Sequence, residues 1–155
     1  MESKRANNRN ILIAVDESEN AARAVAYVRD LLNGLTGFRI NLVTIIPEPS
    51  EDYFQSGKER TEWMKDKDSS ARSLLEGHRR LFTDAGFGEE DIRTDLVIRE
   101  CTSIAECILD EQKRLDCGTV VIGRRGISKK EEFIFGSTSS KILHTAKDCA
   151  VWVIE

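Results

Sequence analysis

The stretch NILIAVDES, residues 10–18, decides the fold, because its apolar run Ile11–Val15 is continuous and ends abruptly at Asp16. A strand in which successive side chains are all apolar must be covered on both faces, which is typical of a central strand in a parallel sheet. Ser18 belongs to a residue type that caps helices, and apolar residues follow it at helical spacing. The stretch therefore predicts a buried parallel strand that leads directly into a helix.

The rest of the chain alternates between strand-like and helix-like patterns. The first helix ends at Asn33-Gly34, a pair that is typical of a helix C-terminus. The later segments that we predict are a strand Phe38–Ile46, a helix at residues 61–85, a strand Thr94–Arg99, a helix that begins at the capping box Ser103–Glu106, a strand Gly118–Gly123, a helix Ser137–Ala146 and a strand Ala150–Glu155. This alternation predicts an α/β fold with a parallel sheet, right-handed crossovers and helices on both faces.

Composition and charge exclude several classes of protein. The chain has 155 residues, of which 40% are hydrophobic and 32% charged, and this predicts one domain, residues 10–155, after a flexible tail, residues 1–9. The net charge of −4 gives no reason to expect nucleic acid or an anionic membrane as a partner. No apolar run approaches the length of a membrane span, and the N-terminus lacks a signal-peptide pattern, so we expect a cytoplasmic protein.

The four cysteines, Cys101, Cys107, Cys117 and Cys149, contain no pair with CxxC spacing. A zinc site would need such tighter local pairs. Since a reducing compartment is expected, we predict free thiols with a structural role.

Asp16 is the first candidate for a functional residue. In an open α/β sheet, ligands bind beyond the carboxyl ends of the strands, where the strand order reverses. Asp16 directly follows the buried first strand and therefore lies at this edge. Two interpretations stay open: Asp16 contacts a ligand, or it only accepts backbone N–H groups at the start of the first helix.

The second candidate is the stretch GRRGISKKEEFIFGSTSS, residues 123–140, after the fourth strand. Gly126 can adopt a positive φ, and Gly136 has no Cβ atom, so a phosphate could approach the backbone closely. The start of the following helix would offer unpaired N–H groups to an anion. Three hydroxyl side chains add donors at the same place: Ser137, Thr138 and Ser139. The alternative is an ordinary strand–loop–helix connection that Gly136 and Ser137 only cap.

Other kinds of chemistry have little support in the sequence. The motifs GxGxxG, GxxxxGK[ST] and GxSxG are absent. His78 and His144 both fall in predicted helices and are interpreted as packing or surface residues. Five basic residues form a rim that is interpreted either as solvated or as facing a ligand: Arg99, Arg124, Arg125, Lys129 and Lys130.

Together these residues resemble the universal stress protein family. The resemblance is carried by a first strand ending in AVDES, a fourth strand VVIGRRG followed after nine residues by GSTSSKIL, and a terminal VWVIE. Gly123, Gly126, Gly136 and Ser137 match the glycine pattern of the family's ATP-binding subgroup without insertion or deletion. The resemblance covers residues 10–155 and implies a Rossmann-like, five-stranded parallel sheet in the order 3-2-1-4-5.

The resemblance also implies an ATP site, often with Mg²⁺ or Mn²⁺ bound together with the nucleotide. The residues implied on the adenine side are Ala14, Val15, Asp16 and Ile45. The residues implied near the ribose and the phosphates are Ile122, Gly123, Arg125, Gly126, Gly136, Ser137, Thr138 and Ser139. Two departures from the family pattern are Thr44, where many members have His, and the second positive charge of the Arg124-Arg125 turn.

The implied function is that of a nucleotide-dependent stress-response or signalling module, with no catalytic residue assigned and at most slow ATP hydrolysis. The family is mostly homodimeric through its last strand. The segment AVWVIE, residues 150–155, would be an exposed apolar edge unless a second copy covered it. Two alternatives are a dimeric interaction protein that binds no nucleotide and an enzyme of the wider α/β nucleotide-binding group. The latter is disfavoured because the SGGxDS motif is absent.

Overall fold

The structure, a computed structural model, describes residues 8–124 and 137–155. The strands and helices of this part are β1 (Asn10–Ala14), α1 (Glu19–Leu32), β2 (Arg39–Pro47), α2 (Gly57–Asp84), β3 (Ile92–Arg99), α3 (Ile104–Arg114), β4 (Thr119–Gly123), α4 (Ser137–Thr145) and β5 (Ala150–Ile154). The predicted alternation of strands and helices is confirmed.

Three of the helices begin at a serine whose side chain caps them. The Oγ atom of Ser18 accepts the N–H of Ala21 at 3.1 Å, and Ser103 does the same for Glu106 at 3.2 Å. Ser56 accepts the N–H of Glu59 at 3.1 Å and so fixes the start of α2 at Gly57. Such a side chain satisfies one of the backbone donors that a helix start leaves unpaired. The predicted start of this helix at residue 61 was therefore too late.

All five strands form one parallel sheet in the order β3-β2-β1-β4-β5, which confirms the expected topology. β1 lies in the centre, and its residues Ile11, Leu12 and Ile13 are at most 2% exposed. The central position of β1 thus explains the apolar run Ile11–Val15, since helices cover both faces of this strand.

The two faces of the sheet carry two separate hydrophobic cores. On one face, Ile13 packs in a cluster with residues of α1 and α2, including Val25 and Phe82. On the other face, Leu12 packs with residues of α3 and α4, including Ile108 and Ile142. Helices therefore lie on both faces, as predicted.

The predicted tail, residues 1–9, lies largely outside the described residues, but its last two residues contact the body of the protein. The side-chain amide of Asn8 donates to the carbonyl oxygen of Asp116 at 2.8 Å. The guanidinium of Arg9 donates to the carbonyl oxygen of Thr36 at 2.9 Å and lies 5.3 Å from the centre of the Phe38 ring.

The prediction that the cysteines are free thiols was wrong for one pair, because Cys101 and Cys107 form a disulfide. Cys101 follows β3 and Cys107 lies near the start of α3, so the turn between the two elements brings their Cα atoms to 6.0 Å. This proximity arises from the turn and not from a CxxC spacing. Cys117 and Cys149 carry no disulfide.

Candidate functional site

A cleft of about 420 Å³ opens at the carboxyl edge of the sheet, beyond the ends of β1, β2 and β4. The strand order reverses between β1 and β4, which is where ligands bind in open α/β sheets. Eight residues that the sequence and the family resemblance assigned to the site line this cleft: Ala14, Val15, Asp16, Ile45, Ile122, Gly123, Thr138 and Ser139. The fold thus brings together residues that are up to 125 positions apart in the sequence.

The other residues assigned to the site are not among the described residues that line the cleft. Arg125, Gly126 and Gly136 lie outside the described residues, as do Lys129 and Lys130 of the basic rim. Ser137 is the first residue of α4. The part of the assigned site between β4 and α4 therefore stays a prediction.

The turn after β1 is held by hydrogen bonds to β2. The N–H of Val15 donates to the carbonyl oxygen of Val43 at 2.9 Å. The buried Thr44 donates its hydroxyl to the carbonyl oxygen of Val15 at 3.1 Å. Thr44, which stands where many family members have His, is therefore an anchor for the turn that carries Asp16.

Asp16 combines features of both interpretations that the sequence left open. Its Oδ1 atom accepts the N–H of Ser18 at 2.9 Å, as expected for a residue at the entrance to α1. The side chain is also exposed and lines the cleft. A carboxylate has further acceptor sites, so this hydrogen bond leaves Asp16 able to accept from a ligand.

Gly123 ends β4 at the point where the strand meets the start of α1. A Cβ atom built on Gly123 would lie 2.5 Å from both the carbonyl carbon and the carbonyl oxygen of Asn20. Real Cβ atoms do not approach backbone so closely, and therefore only glycine fits this crossing without a shift of α1. The first glycine of the motif thus has a packing role in addition to its place in the cleft.

The first turn of α4 supplies the hydroxyl side of the cleft. Thr138 and the buried Ser139 line the cavity there. An ion pair of 3.2 Å between Lys141 and Glu106 joins α4 to α3. The N-terminus of a helix carries a positive partial charge, so this end of the cleft favours an anionic group.

Sequence reasoning did not assign eight further residues that line the cleft: Glu17, Ser18, Ala21, Val43, Pro47, Lys67, Ile104 and Ile108. Most of them flank residues that were assigned, or extend the apolar face of α3. Lys67 is different, because it comes from α2 and is the only cation among the described lining residues. The sequence feature that could have identified Lys67 is its place at helical spacing within the apolar stripe of α2, four residues after Trp63 and four before Ala71.

The two described arginines of the predicted basic rim are paired with carboxylates. Arg99 contacts Asp110 of α3 at 2.6 Å, and Arg124 contacts Glu155 at 3.5 Å. The backbone N–H of Arg124 also donates to the carbonyl oxygen of Ile154 at 2.7 Å. In the described part of the chain, these arginines tie structural elements together.

His78 is a buried residue of α2, and its interpretation as a packing residue is confirmed. Burial lowers the pKa of His78, because desolvation disfavours the charged imidazolium, and the nearby carboxylate of Asp16 opposes this effect. Its Nδ1 atom has no hydrogen-bond partner in the part of the chain that the structure describes. His144 is exposed on α4. Burial also raises the pKa of the Cys117 thiol to about 12, which keeps this thiol protonated.

Neither a metal cluster nor a membrane span was found in the described ranges. Residues 8–124 and 137–155 hold no group of three or more His, Cys, Asp or Glu side chains that could bind a metal ion. Within the same ranges, no helix is both long enough and apolar enough to cross a membrane.

Solved structures similar to this chain have the same fold. Hypothetical protein MJ0577 matches with a TM-score of 0.77 at 19% identity, covering 95% of both chains. A universal stress protein from Archaeoglobus fulgidus in complex with dAMP matches with a TM-score of 0.64 at 20% identity, covering 94% of this chain and 97% of the other. A universal stress protein in complex with cAMP matches with a TM-score of 0.69 at 15% identity, covering 96% and 97%.

Comparisons of sequence give the family. A search of curated proteins found no match. The model of the universal stress protein family matches residues 7–155, which is almost the whole chain and includes every element of the sheet. Sequence, topology and the position of the cleft agree, and the chain belongs to the universal stress protein family.

Proposed function

We propose that this protein binds ATP in the cleft at the carboxyl edge of its sheet and acts as a nucleotide-dependent stress-response or signalling module. The observation that supports the proposal is that eight residues assigned to the site from the sequence and the family resemblance line one cleft. These residues come from β1 and the turn after it, from β2 and β4, and from α4, so the order of the strands and the placement of α4 together bring them to one cleft.

The lining of the cleft suits the parts of an adenine nucleotide. Apolar side chains from β2 and α3, among them Ile45 and Ile108, would pack against the faces of the base. Asp16 would accept hydrogen bonds on the adenine side. The start of α4, with Thr138 and Ser139, would hold the phosphates, and Ile122 and Gly123 would lie near the ribose.

The relatives support an adenine nucleotide as the class of ligand. Two structures with the same fold are described as complexes with dAMP and cAMP. The preference for ATP itself rests on the pattern of Gly123, Gly126, Gly136 and Ser137 in the sequence. A Mg²⁺ or Mn²⁺ ion would be carried mainly by the phosphate oxygens, since Mg²⁺ is commonly bound through substrate phosphates and few protein ligands.

We assign no catalytic residue, and we expect at most slow ATP hydrolysis. Fast phosphoryl transfer needs a residue that positions the nucleophile and further groups that stabilise the transferred phosphoryl group. The proposed role is therefore regulatory: bound nucleotide would change the surface that a partner protein contacts.

The free edge of β5 is the proposed surface for a homodimer. Within the described residues β5 pairs only with β4, and four of its five side chains, including Trp152, are only partly buried. Ala150 and Ile154 hydrogen-bond toward β4, so the N–H groups of Val151 and Val153 point to the open edge. Val153→Pro should therefore give a monomer in light scattering, whereas Val153→Thr should stay dimeric. A monomeric parent protein would contradict the dimer.

The ATP proposal is tested by the molecules that the purified protein carries. Denaturation followed by chromatography should release an adenine nucleotide, or Mg-ATP added to nucleotide-free protein should raise its melting temperature. A ligand at about 100 times its dissociation constant stabilises by roughly 2.7 kcal/mol. If no nucleotide is released and millimolar Mg-ATP causes no shift, the alternative of a module without nucleotide is favoured instead.

A further inference from the structure

The N-terminal half of α2 contributes no side chain to the hydrophobic core. The helix spans Gly57–Asp84, but its buried residues are only Ala71, Leu75, His78 and Phe82. At about 1.5 Å per residue, the fourteen residues before Ala71 form a rod of roughly 21 Å that carries no buried side chain. One residue of this half reaches the cleft, and it is Lys67.

Lys67 lies on the face of α2 that covers the sheet. It is four residues before Ala71, and side chains four apart lie on the same face of a helix. One turn further toward the core, this face is buried against the sheet. Lys67 thus lies on the same face of α2 as the buried residues, one turn before the first of them. At this position the face lines the cleft instead of packing in the core.

No carboxylate of the described residues engages the ammonium of Lys67. Within the described residues it makes no ion pair within 4.0 Å, and its one contact is with the ring of Trp63, whose centre lies 5.9 Å away. The other charged residues of the described cleft lining are Asp16 and Glu17. A cation that faces an acidic cleft without an ion partner is available to a ligand.

A second, smaller cavity of about 260 Å³ shows at which end of the cleft Lys67 lies. Four residues line both cavities: Asp16, Glu17, Ile45 and Lys67. The described residues that line the smaller cavity come from α2, β2 and the turn after β1, and none comes from β4 or α4. Lys67 therefore stands at the junction of the two cavities, on the side away from Gly123 and Thr138.

We propose that Lys67 is a ligand-binding residue that donates a hydrogen bond to a ring nitrogen of the bound purine. The inference rests on the proposed ATP site, in which the phosphates lie at the start of α4 and the base lies near Asp16 and Ile45. An ammonium has three donors and no acceptor, and the edge of adenine presents ring nitrogens that accept. When the base enters, the ammonium exchanges its contact with Trp63 for this hydrogen bond.

The test compares two ligands on three variants. Lys67→Ala removes the donor, Lys67→Arg keeps a positive donor, and Lys65→Ala removes the same charge from a neighbouring exposed position that lines neither cavity. Dissociation constants are measured for ATP and for adenosine. Lys67→Ala should weaken both ligands by a similar factor of roughly tenfold or more, as expected for loss of a hydrogen bond from a charged group.

The expected controls are parent-like affinity for Lys65→Ala and a smaller loss for Lys67→Arg than for Lys67→Ala. Parent-like affinity of Lys67→Ala for both ligands would overturn the inference. A loss for ATP with no loss for adenosine would also overturn it, since Lys67 would then contact phosphate. If the parent protein binds neither ligand, the proposed function itself fails, and the inference fails with it.

Discussion

Gly123, the last residue of β4, lies so close to α1 that an added Cβ atom would come within 2.5 Å of the backbone of Asn20. Close packing of β4 against α1 therefore requires a glycine at this first position of the family motif. A glycine in such a motif does not by itself indicate a bound phosphate, because packing alone can demand it. The indication of a ligand comes from the cleft around it.

The crossing of β4 and α1 predicts that Gly123→Ala destabilises the fold. The methyl group must push α1 away from the sheet, and overpacking of this kind costs about 1–3 kcal/mol. Urea denaturation of both proteins measures the difference. Gly77→Ala is the matched control, because Gly77 lies in α2 with nothing within 4 Å of a built Cβ. It should stabilise by up to about 1 kcal/mol. Equal stability of Gly123→Ala and the parent would contradict the packing role.

The hydrogen bond from Thr44 to Val15 predicts a cost for removing a single hydroxyl group. Thr44→Val keeps the shape of the side chain but leaves the carbonyl oxygen of Val15 without this donor. The free energy of unfolding should fall by about 1–3 kcal/mol. Thr44→Ser keeps the hydroxyl and should lose less. A Thr44→Val variant as stable as the parent would show that the turn carrying Asp16 is held without this hydrogen bond.

The disulfide between Cys101 and Cys107 predicts a pattern of alkylation. After unfolding without a reductant, an alkylating reagent should modify Cys117 and Cys149 only, and prior treatment with a dithiol should expose all four cysteines. Intact mass spectrometry counts the groups added. In the chain-entropy model, a loop of this short length stabilises by about 2 kcal/mol, so reduction should lower the melting temperature. Four modified cysteines before reduction would show that the pair is not oxidised.

Buried His78 predicts a fall in stability at mildly acidic pH. Burial lowers the pKa of His78 below that of the unfolded chain, so the unfolded state binds the proton more tightly. Stability should therefore fall as the pH drops below about 6.5, the usual pKa of histidine. His78→Leu should reduce the difference in unfolding free energy between pH 7 and pH 5. His144→Leu, at an exposed position, should leave it unchanged. The same pH dependence in His78→Leu as in the parent would contradict this role.

Much of the fold could be predicted because the strongest signals are local. The apolar run Ile11–Val15 and the capping residues Ser18 and Ser103 identify a central strand and two helix starts without further information. The start of α2 was missed because its first half is polar and only the cap Ser56 marks it. An apolar pattern cannot reveal a helix segment that buries no side chain among the described residues.

The sequence predicted the candidate site residues that lie at the ends of strands. It missed the residue whose place in the site depends on how a helix is rotated on the sheet. Asp16 lies two residues after the end of β1 and Gly123 ends β4, so the strand order brings both to one edge of the sheet. Lys67 lies 51 positions after Asp16 in a helix, and only the rotation of α2 on the sheet turns it toward the cleft. The disulfide likewise depends on the exact turn between β3 and α3.

The most direct test of the central claim is a calorimetric titration of nucleotide-free protein with Mg-ATP, with Asp16→Ala titrated in parallel. The parent should bind one ATP per chain with a saturable heat. Asp16→Ala should bind it more weakly, and its unfolding temperature should fall only slightly, through loss of the hydrogen bond to the N–H of Ser18. Absence of saturable binding to the parent protein, under conditions in which it is folded, would contradict the assignment of the cleft as an ATP site.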